Sequence, residues 1–453
     1  MSLPTLFLAD MPPDATLSPS LITGACTALK RNREASLARY FTGQIIHTIA
    51  GVAADWQQPE NRFRKLALDD GPKALGFSRA TLSRGLDEFF RQFTVDNLVA
   101  FTEQECGEAR RLDLLTGDDS GGAAGRAAIL TGPELLVQIA AGNIPNPTLM
   151  SIVLGLLARS AQFVKCASGT ALLPRLFAHS IYEADPKLGA CLELAEWRGG
   201  NVPLEDALFA QADCVTATGG DEMLMAIRNR LPARTRFLGY GHRASFGYIA
   251  SDVLTTLNTP KVVARAAEDV VAWDQLGCLS PHVLYVQSGG GVSAAQFARQ
   301  LAGELARREA VEPRAELPAK TSAVVASRRS IYEVRAAHSS DTHLWQSKDS
   351  TAWTVVCEAD ARFQLSCGHR FIYVKPVRDV ADVLANADAV RGQVSTVGLA
   401  VPEHRAGEVA MELARWGVTR VCPLGRMQNP PLAWRHDGRP ALGDLLTWTD
   451  FEQ

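Results

Sequence analysis

The segment DQLGCLSPHVLYVQSGGG, from Asp274 to Gly291, holds the residue best suited to covalent chemistry. Cys278 follows Gly277, Pro281 lies shortly after it, and an apolar strand-like run comes next. A cysteine thiolate held at such a bend could attack an acyl carbon. The alternative is that Cys278 fills a small space in the core, as buried cysteines commonly do.

Two earlier stretches place polar side chains at turns between apolar segments. In AAGNIPNPTL, the amide of Asn143 could donate a hydrogen bond to a developing oxyanion, or it could cap the following helix. In FVKCASGT, Lys165 ends an apolar strand and Ser168 follows it. That pair suits ribose or phosphate binding, although a surface lysine would give the same pattern.

A third stretch, VTATGGDEM, runs from a strand through Thr218, Gly219 and Gly220 into a helix. Small residues ahead of a helix let a pyrophosphate approach the exposed N–H groups of the first turn. The order of glycines is not the G-x-G-x-x-G fingerprint of an ordinary dinucleotide site. A tight turn with no ligand is the alternative.

These residues need elements that hold them in place. Apolar residues recur at three- and four-residue spacing from residue 15 to about 120, which predicts helices. From about residue 130, short apolar strands alternate with helical segments, which predicts a parallel α/β structure. The chain of 453 residues is long enough for two or three domains.

Composition excludes several classes of protein. The net charge is −3, from 46 basic and 49 acidic residues, and offers no field for nucleic acid or an anionic membrane. The longest apolar runs are too short to span a bilayer, and the N-terminus lacks the basic start of a secretory signal, so we expect a cytoplasmic protein. Nine scattered cysteines without C-x-x-C argue against a disulfide framework and a structural zinc site, so we expect no metal.

The order of the four stretches resembles that of the aldehyde dehydrogenase superfamily. Asn143-Ile144-Pro145 resembles its Asn-aromatic-Pro turn, VKCAS its Lys-Pro-Ser-Glu segment, and TGG its Thr-Gly-Ser turn. GYGHRASFGYI, DQLGCLSPHVLYVQ and the tail PPLAWRHDGRPALGDLLTWTDFE are similar to the LuxC-type acyl-thioester reductases. This resemblance covers roughly residues 70 to 453, with little of it in the first 70 residues.

The resemblance implies an NADPH-dependent reduction of a fatty acyl thioester to the aldehyde through an acyl group on Cys278, with Asn143 in the oxyanion hole. It implies dinucleotide binding by residues of the second and third stretches, namely Lys165, Ser168, Thr218, Gly219 and Gly220. The glutamate with which ordinary aldehyde dehydrogenases activate water is matched by the stretch Gly239–Arg243, which has no carboxylate. A hydrolytic step needs such a base and a reductive step does not.

The same resemblance bears on the choice of cofactor and on the activation of the thiol. The family's ribose-binding glutamate is matched by Ser168, which leaves room and removes repulsion for a 2′-phosphate, so NADPH is expected rather than NADH. A thiol needs a nearby positive potential to ionise at neutral pH. His242, Arg243 and His282 could supply it, and the sequence does not choose among them.

The predicted fold is aldehyde-dehydrogenase-like. It consists of a helical N-terminal region (1–120), a Rossmann-type parallel dinucleotide-binding domain (121–240), an α/β catalytic domain with Cys278 (241–425) and a C-terminal extension (426–453). The expected partners are acyl-CoA or an acylated carrier or synthetase protein, and a second copy of the chain in a dimer or tetramer.

Two other functions remain open from the sequence. One is an NAD(P)-dependent aldehyde dehydrogenase that oxidises aldehyde to acid, which would need a carboxylate such as Glu358 recruited near Cys278. The other is a non-reducing acyl-transfer module, in which Cys278 only stores and passes on acyl groups. His436 and Asp437 of the WRHDG stretch share the resemblance but have no role derived from the sequence.

Overall fold

The structure, a computed structural model, describes residues 3–12, 14–117 and 126–452. The predicted boundary between residues 120 and 121 lies outside these ranges, as does residue 453 at the predicted end of the C-terminal extension. The helices are α1 (Pro19–Ala35), α2 (Thr42–Gln57), α3 (Arg62–Leu75), α4 (Arg79–Phe90), α5 (Val95–Cys106), α6 (Asn146–Leu157), α7 (Leu172–Ala184), α8 (Pro186–Gly189), α9 (Val202–Phe209), α10 (Asp221–Arg228), α11 (Thr259–Val271), α12 (Ala294–Val311), α13 (Ala319–His338), α14 (Val380–Asn386) and α15 (Glu403–Trp416).

The strands are β1 (Thr116–Gly117), β2 (Arg126–Thr131), β3 (Leu135–Ile139), β4 (Ala161–Cys166), β5 (Leu192–Glu196), β6 (Cys214–Thr218), β7 (Arg236–Tyr240), β8 (Ala244–Ile249), β9 (Val283–Gln287), β10 (Thr342–Gln346), β11 (Thr354–Glu358), β12 (Phe371–Val377), β13 (Val394–Ala400), β14 (Arg420–Pro423) and β15 (Thr447–Glu452). The predicted helical N-terminal region and the alternating strands and helices after it are confirmed. The chain divides into two compact units.

The first unit contains the chain up to Leu75, the segment Leu86–Gly241 and the tail from Pro431. Its centre is a five-stranded parallel sheet in the order β5-β4-β3-β6-β7. Strands β3 and β4 are buried along their whole length, as expected for a parallel sheet covered on both faces. The tail strand β15 joins β2 and β1 in a separate antiparallel sheet.

Local sequence explains how the helices next to this sheet begin. Helix α6, NPTLMSIVLGLL, is apolar around most of its circumference and is therefore buried among other elements. It begins after Pro145, and Pro147 lies in its first turn, where a missing N–H costs no hydrogen bond. Helix α5 begins where the hydroxyl of Thr94 accepts a hydrogen bond from the Asn97 N–H, and it ends at Gly107 with φ 71°.

The second unit contains Gly76–Gly85 and His242–Pro430. Its seven-stranded sheet has the order β10-β11-β12-β9-β8-β13-β14, and all neighbours are parallel except β10 and β11. Helices α11 and α12 pack on one face of the sheet, and α13, α14 and α15 pack on the other. Two buried layers of side chains therefore fix the position of β9, the strand that follows Cys278.

Candidate active site

The carboxyl ends of the parallel strands bring the predicted Asn143 turn and the two predicted cofactor-binding turns to one edge of the five-stranded sheet. The loop with Asn143 follows β3, the turn with Ser168 follows β4, and Thr218 ends β6. The strand order places β3 next to both β4 and β6, so the chain reverses direction across the sheet between β3 and β6. Ligands of open α/β sheets bind outside the carboxyl ends at such a point.

Asn143 lies in the loop between β3 and α6. The residue preceding the first turn of α6 is Pro145, whose side chain makes no capping hydrogen bond. Asn143 lies two residues further back and is exposed. Its amide is therefore placed in the loop at the carboxyl end of β3.

Lys165 is a buried residue and not a surface lysine. It pairs with Ile139 of β3 and Ala195 of β5 in the middle of the sheet, and only 6% of its surface is exposed. Its ammonium lies 5.9 Å from the centre of the Trp197 ring. Burial lowers the pKa of Lys165, while the carboxylate of Glu205 counteracts that effect. A buried ammonium next to an aromatic ring suits a positive charge that positions an anionic ligand.

A carboxylate lies at the Ser168 turn, which the sequence analysis did not anticipate. The backbone N–H of Gly169 donates a 2.7 Å hydrogen bond to Oε1 of Glu196. Glu196 ends β5 and pairs with Cys166 at the end of β4. Glu196 thus places a carboxylate at the turn where Ser168 itself has none, and this negative charge disfavours a 2′-phosphate. The sequence feature that could have indicated this carboxylate is the acidic residue at the end of the next apolar strand, in LELAE.

The Thr218-Gly219-Gly220 turn leads directly into a helix, as predicted. Thr218 pairs with Tyr240 at the end of β7, and Gly220 is the residue that precedes the first turn of α10. A Cβ added at Gly220 would meet no atom within 4 Å, whereas a Cβ added at Gly219 would collide with Cε of Met223. The turn is therefore open at Gly220, directly before the helix start at which a dinucleotide phosphate could bind.

Cys278 lies in a turn immediately before β9, in the second unit, and it is partly exposed. Its carbonyl oxygen accepts a 2.8 Å hydrogen bond from the Ser245 hydroxyl. The Gln275 amide donates 2.7 Å to the carbonyl of Pro281, and the Gln428 amide donates to the Ser280 hydroxyl. The two sides of the turn are thus tied to neighbouring strands and loops, which fixes the backbone around the thiol.

The backbone that leads into this turn is strained. Trp273, Asp274 and Gln275 have φ values of 50°, 49° and 62°, a left-handed run of three residues with side chains. Each such residue costs about 1–3 kcal/mol and persists only where its surroundings hold it. Buried Asp274 is held by Arg370, whose guanidinium donates to it at 2.9 Å. The tertiary structure therefore produces the bend that the sequence suggested from Gly277 and Pro281.

Most other cysteines behave as core residues. Burial raises the thiol pKa to about 12 for a set of five of them: Cys26, Cys106, Cys166, Cys357 and Cys422. It raises the pKa of Cys191 to about 11. Such thiols are neutral at physiological pH and are poor nucleophiles. Among the partly exposed thiols, Cys278 is the one in the constrained turn.

The three groups considered as thiolate stabilisers differ in what they offer. Burial lowers the pKa of His282 to about 4, so this imidazole is neutral near pH 7. Its Nδ1 accepts a hydrogen bond from the Ser366 N–H at 3.1 Å. Arg243 donates to the carbonyl of Gly392 at 2.8 Å, and His242 is exposed. His282 therefore supplies no positive charge near neutral pH.

The tail motif WRHDG packs on the end of β7. The His436 ring stacks on Tyr240 at 4.7 Å, and Trp434 lies 4.9 Å from His436. Arg439 lies 4.5 Å from the centre of the Tyr240 ring and donates to the carbonyl of Gly239. Burial raises the pKa of Tyr240, with added contributions from the carboxylates of Asp444 and Asp437. The end of β7 is thus occupied by an aromatic and cationic cluster.

Glu358, the carboxylate considered for an oxidative reaction, is part of a buried ion pair. The Lys375 ammonium donates to it at 2.9 Å, and both side chains are almost fully buried. Arg335 also lies 3.4 Å from it. These contacts tie the Glu358 side chain to the sheet of the second unit.

Within residues 3–12, 14–117 and 126–452, no group of three or more His, Cys, Asp or Glu side chains is arranged to bind a metal. In that same part of the chain, no helix combines the length and the apolarity needed to cross a bilayer.

Comparison with known proteins identifies relatives over most of the chain. The model of the acyl-CoA reductase (LuxC) family matches residues 37–448, so the likeness begins earlier than the sequence motifs suggested. A long-chain acyl-protein thioester reductase of Aliivibrio fischeri is 22% identical over 430 residues, which are 90% of this chain and 82% of the relative.

Solved structures show the same fold at low sequence identity. An NAD-dependent benzaldehyde dehydrogenase from Corynebacterium glutamicum has a TM-score of 0.72 and 13% identity, and the match covers 97% of this chain and 91% of that protein. An NADP-dependent glyceraldehyde-3-phosphate dehydrogenase from Bacillus halodurans, complexed with NADP, has a TM-score of 0.70 and 13% identity, with 97% and 92% covered. The predicted aldehyde-dehydrogenase-like fold is confirmed.

Proposed function

The chain belongs to the acyl-CoA reductase (LuxC) family, and from that premise we propose that it reduces a fatty acyl thioester to the aldehyde with NADPH, through an acyl group on Cys278. The donor would be acyl-CoA or an acylated carrier or synthetase protein. The relative in Aliivibrio fischeri is a long-chain acyl-protein thioester reductase, which favours a long acyl chain. We further propose that the enzyme is cytoplasmic and acts as a homo-oligomer, a dimer or tetramer.

The observation that carries this proposal is the partly exposed thiol of Cys278 in a turn fixed by hydrogen bonds. As a thiolate, its sulfur forms a bond to the acyl carbon and the donor thiolate leaves. A rigid nucleophile loses little conformational entropy on reaching the reacting geometry. The oxyanion formed in this step would accept hydrogen bonds from the N–H of Cys278 and, by family resemblance, from the amide of Asn143.

The first unit would hold the dinucleotide. The buried ammonium of Lys165 and the Ser168 turn lie at the carboxyl end of β4, and the Thr218-Gly219-Gly220 turn lies at the carboxyl end of β6, on the other side of β3. A nicotinamide cofactor bound at that edge would supply the hydride that converts the acyl group to the aldehyde. We therefore propose that residues 121–240 form the dinucleotide-binding domain and that residues 241–425 form the catalytic domain with the reacting thiol. Residues 426–453 would form the C-terminal extension.

The choice between NADPH and NADH depends on the charges at the Ser168 turn. Ser168 itself brings no negative charge, and one structural neighbour is a complex with NADP. The exposed side chain of Arg198 follows Glu196 by two residues and could pair with a 2′-phosphate, whereas Glu196 would repel it. We propose NADPH as the physiological reductant, with Glu196 limiting the preference.

Reduction is favoured over hydrolysis because the matched stretch has no general base. Gly239–Arg243 has no carboxylate, and the Tyr240 ring at that strand end contacts His436 and Arg439. Water is a competitor of hydride in the discharge of an acyl-enzyme. A site without a water-activating group preserves the acyl group until it is reduced.

The test is NADPH oxidation across acyl-CoA chain lengths with wild type, Cys278→Ala and the matched control Cys367→Ala, another partly exposed thiol of the same unit. We expect Cys278→Ala to lose turnover and labelling by radioactive acyl-CoA while it keeps NADPH binding, and Cys367→Ala to keep all three. Asn143→Ala should lose roughly 100- to 1,000-fold in turnover number.

Three outcomes would contradict the proposal. Full turnover in Cys278→Ala would exclude the acyl-Cys278 intermediate. Production of free acid from aldehyde and NADP would indicate an aldehyde dehydrogenase. Labelling of Cys278 without consumption of either NADPH or NADH would indicate a non-reducing acyl-transfer module.

A further inference from the structure

We propose that Arg420 is a positioning residue that provides the fixed positive charge for the thiolate of Cys278. The inference rests on the proposed role of Cys278 as the nucleophile. Arg420 would then stabilise the Cys278 thiolate, a role for which the sequence suggested His242, Arg243 and His282. Arg420 is 142 positions further along the chain than Cys278, and no sequence motif connects the two residues.

Arg420 is a buried guanidinium at the start of β14. Only 8% of its surface is exposed, and it pairs with Thr396 of β13 in the parallel ladder. It donates to the carbonyl oxygens of Met427 at 2.6 Å and Arg426 at 2.8 Å, and to the Thr396 hydroxyl at 3.4 Å. These three acceptors are neutral, so they orient the guanidinium without cancelling its charge.

The elements that hold Arg420 also hold the Cys278 turn. The Ser245 hydroxyl donates to the carbonyl of Cys278 and accepts a hydrogen bond from the Thr396 N–H at 3.2 Å. On the other side, Gln428 directly follows one of the carbonyl acceptors of Arg420 and donates to Ser280, two residues after the cysteine. Two separate hydrogen-bonded connections therefore bring the guanidinium and the thiol into one neighbourhood.

Three ionisable groups influence the guanidinium of Arg420. Burial lowers the pKa of Arg420, while Cys422, Asp269 and Cys278 raise it, so Cys278 lies within electrostatic range of the guanidinium. Burial raises the pKa of Cys422 to about 12, which keeps that thiol neutral. His282, immediately before β9, is neutral near pH 7 for the same reason.

Asp269 of α11 is the carboxylic acid that competes for Arg420. It accepts hydrogen bonds from the N–H groups of Gly425 at 2.5 Å and Met427 at 2.8 Å. Burial raises its pKa to about 7, so it carries only part of a negative charge at neutral pH. The guanidinium is charged throughout this range and attracts the Cys278 thiolate as well as the Asp269 carboxylate.

An opposite charge at close range lowers the pKa of an acid by about 1–3 units. The measurement is the pH dependence of iodoacetamide alkylation of Cys278, followed by mass spectrometry of the peptide that contains it. In wild type the alkylation midpoint should lie below the free-thiol value of about 8.5. In Arg420→Gln it should rise by about 1–3 pH units, and Arg420→Lys, which keeps the charge, should remain within about one unit of wild type.

The matched control is Arg426→Gln, an exposed arginine in the same loop, which should leave the midpoint unchanged. A wild-type midpoint at or above about 8.5 would overturn the inference, whether or not Arg420→Gln folds. An unchanged midpoint in a folded Arg420→Gln variant would also overturn it, because a purely structural role of Arg420 leaves the thiol pKa unaltered. If Cys278→Ala keeps full turnover, the proposed function fails; if Cys278 is essential but its midpoint ignores Arg420, only this inference fails.

Discussion

Replacing Gly277 by alanine should disturb the Cys278 turn through one identifiable contact. A Cβ at this position would lie 2.7 Å from Oε1 and 2.8 Å from Cδ of Gln428, and closer still to its Nε2. Gln428 is buried and donates to the Ser280 hydroxyl, so its amide cannot move away without losing that hydrogen bond.

The magnitude follows from two alternatives. If the amide stays, overpacking costs about 1–3 kcal/mol. If it rotates away, the buried Ser280 hydroxyl is left unsatisfied at a cost of about 1–3 kcal/mol. Either way Gly277→Ala should lower the free energy of unfolding by a few kcal/mol at most, and a protein with about 5–15 kcal/mol of stability still folds. The displaced turn should also slow acylation of Cys278.

The assay is a double-mutant cycle in urea unfolding, combined with the rate of acyl labelling. Gln428→Ala removes the group that Gly277→Ala would strike, so the double variant should be about as stable as Gln428→Ala alone. Gly303→Ala in α12, where a Cβ meets nothing within 4 Å, is the control and should stabilise by about 0.5–1 kcal/mol. Additive losses from the two substitutions at 277 and 428, or wild-type stability and labelling in Gly277→Ala, would refute the reasoning.

Two further predictions concern single charges. Glu196→Gln keeps an acceptor for the Gly169 N–H but removes a negative charge at the Ser168 turn. The KM for NADPH should therefore fall about two- to five-fold relative to the KM for NADH. Steady-state kinetics with both cofactors measure this ratio, and equal changes in the two KM values would contradict the prediction. The second prediction concerns His282, whose pKa is about 4 in the folded protein and about 6.5 in the unfolded chain. As the pH falls from 6.5 to 4, the unfolded chain therefore binds a proton before the folded protein does. The free energy of unfolding should fall across that window, by about 3 kcal/mol at pH 4. His282→Asn, which keeps an acceptor for the Ser366 N–H, should flatten this part of the stability-versus-pH curve in urea unfolding, and a loss equal to that of wild type would show that another group is responsible.

The predictions made from local pattern were the most accurate. The three- and four-residue spacing before residue 120 and the alternation after residue 130 correctly indicated α1–α5 and the two parallel sheets. The turns with Asn143, Ser168 and Thr218 were placed correctly because each follows an apolar strand, and the carboxyl ends of parallel strands share one edge. Local pattern did not reveal burial. It left open that Lys165 is a surface residue, whereas the structure buries it.

The contacts that the sequence did not reveal are those between residues far apart in the chain. Glu196 reaches the Gly169 N–H because β4 and β5 are adjacent in a particular register. His436 stacks on Tyr240 because the tail returns to the end of β7. For Glu196 the sequence offers only an acidic residue at the end of an apolar strand, and for the stacking of His436 on Tyr240 it offers no signal.

The sequence by itself determined the order of the elements, the turns that could bind a dinucleotide and the cysteine that could react, since each depends on residues within a few positions of one another. Only the tertiary structure decided which charges surround those residues. Arg420 comes close to Cys278 through the pairing of β13 with β14 and the hydrogen bonds of Ser245. Electrostatic interactions depend on distance in space and on burial, and both are set by how the strands pair, so local spacing along the chain does not contain them.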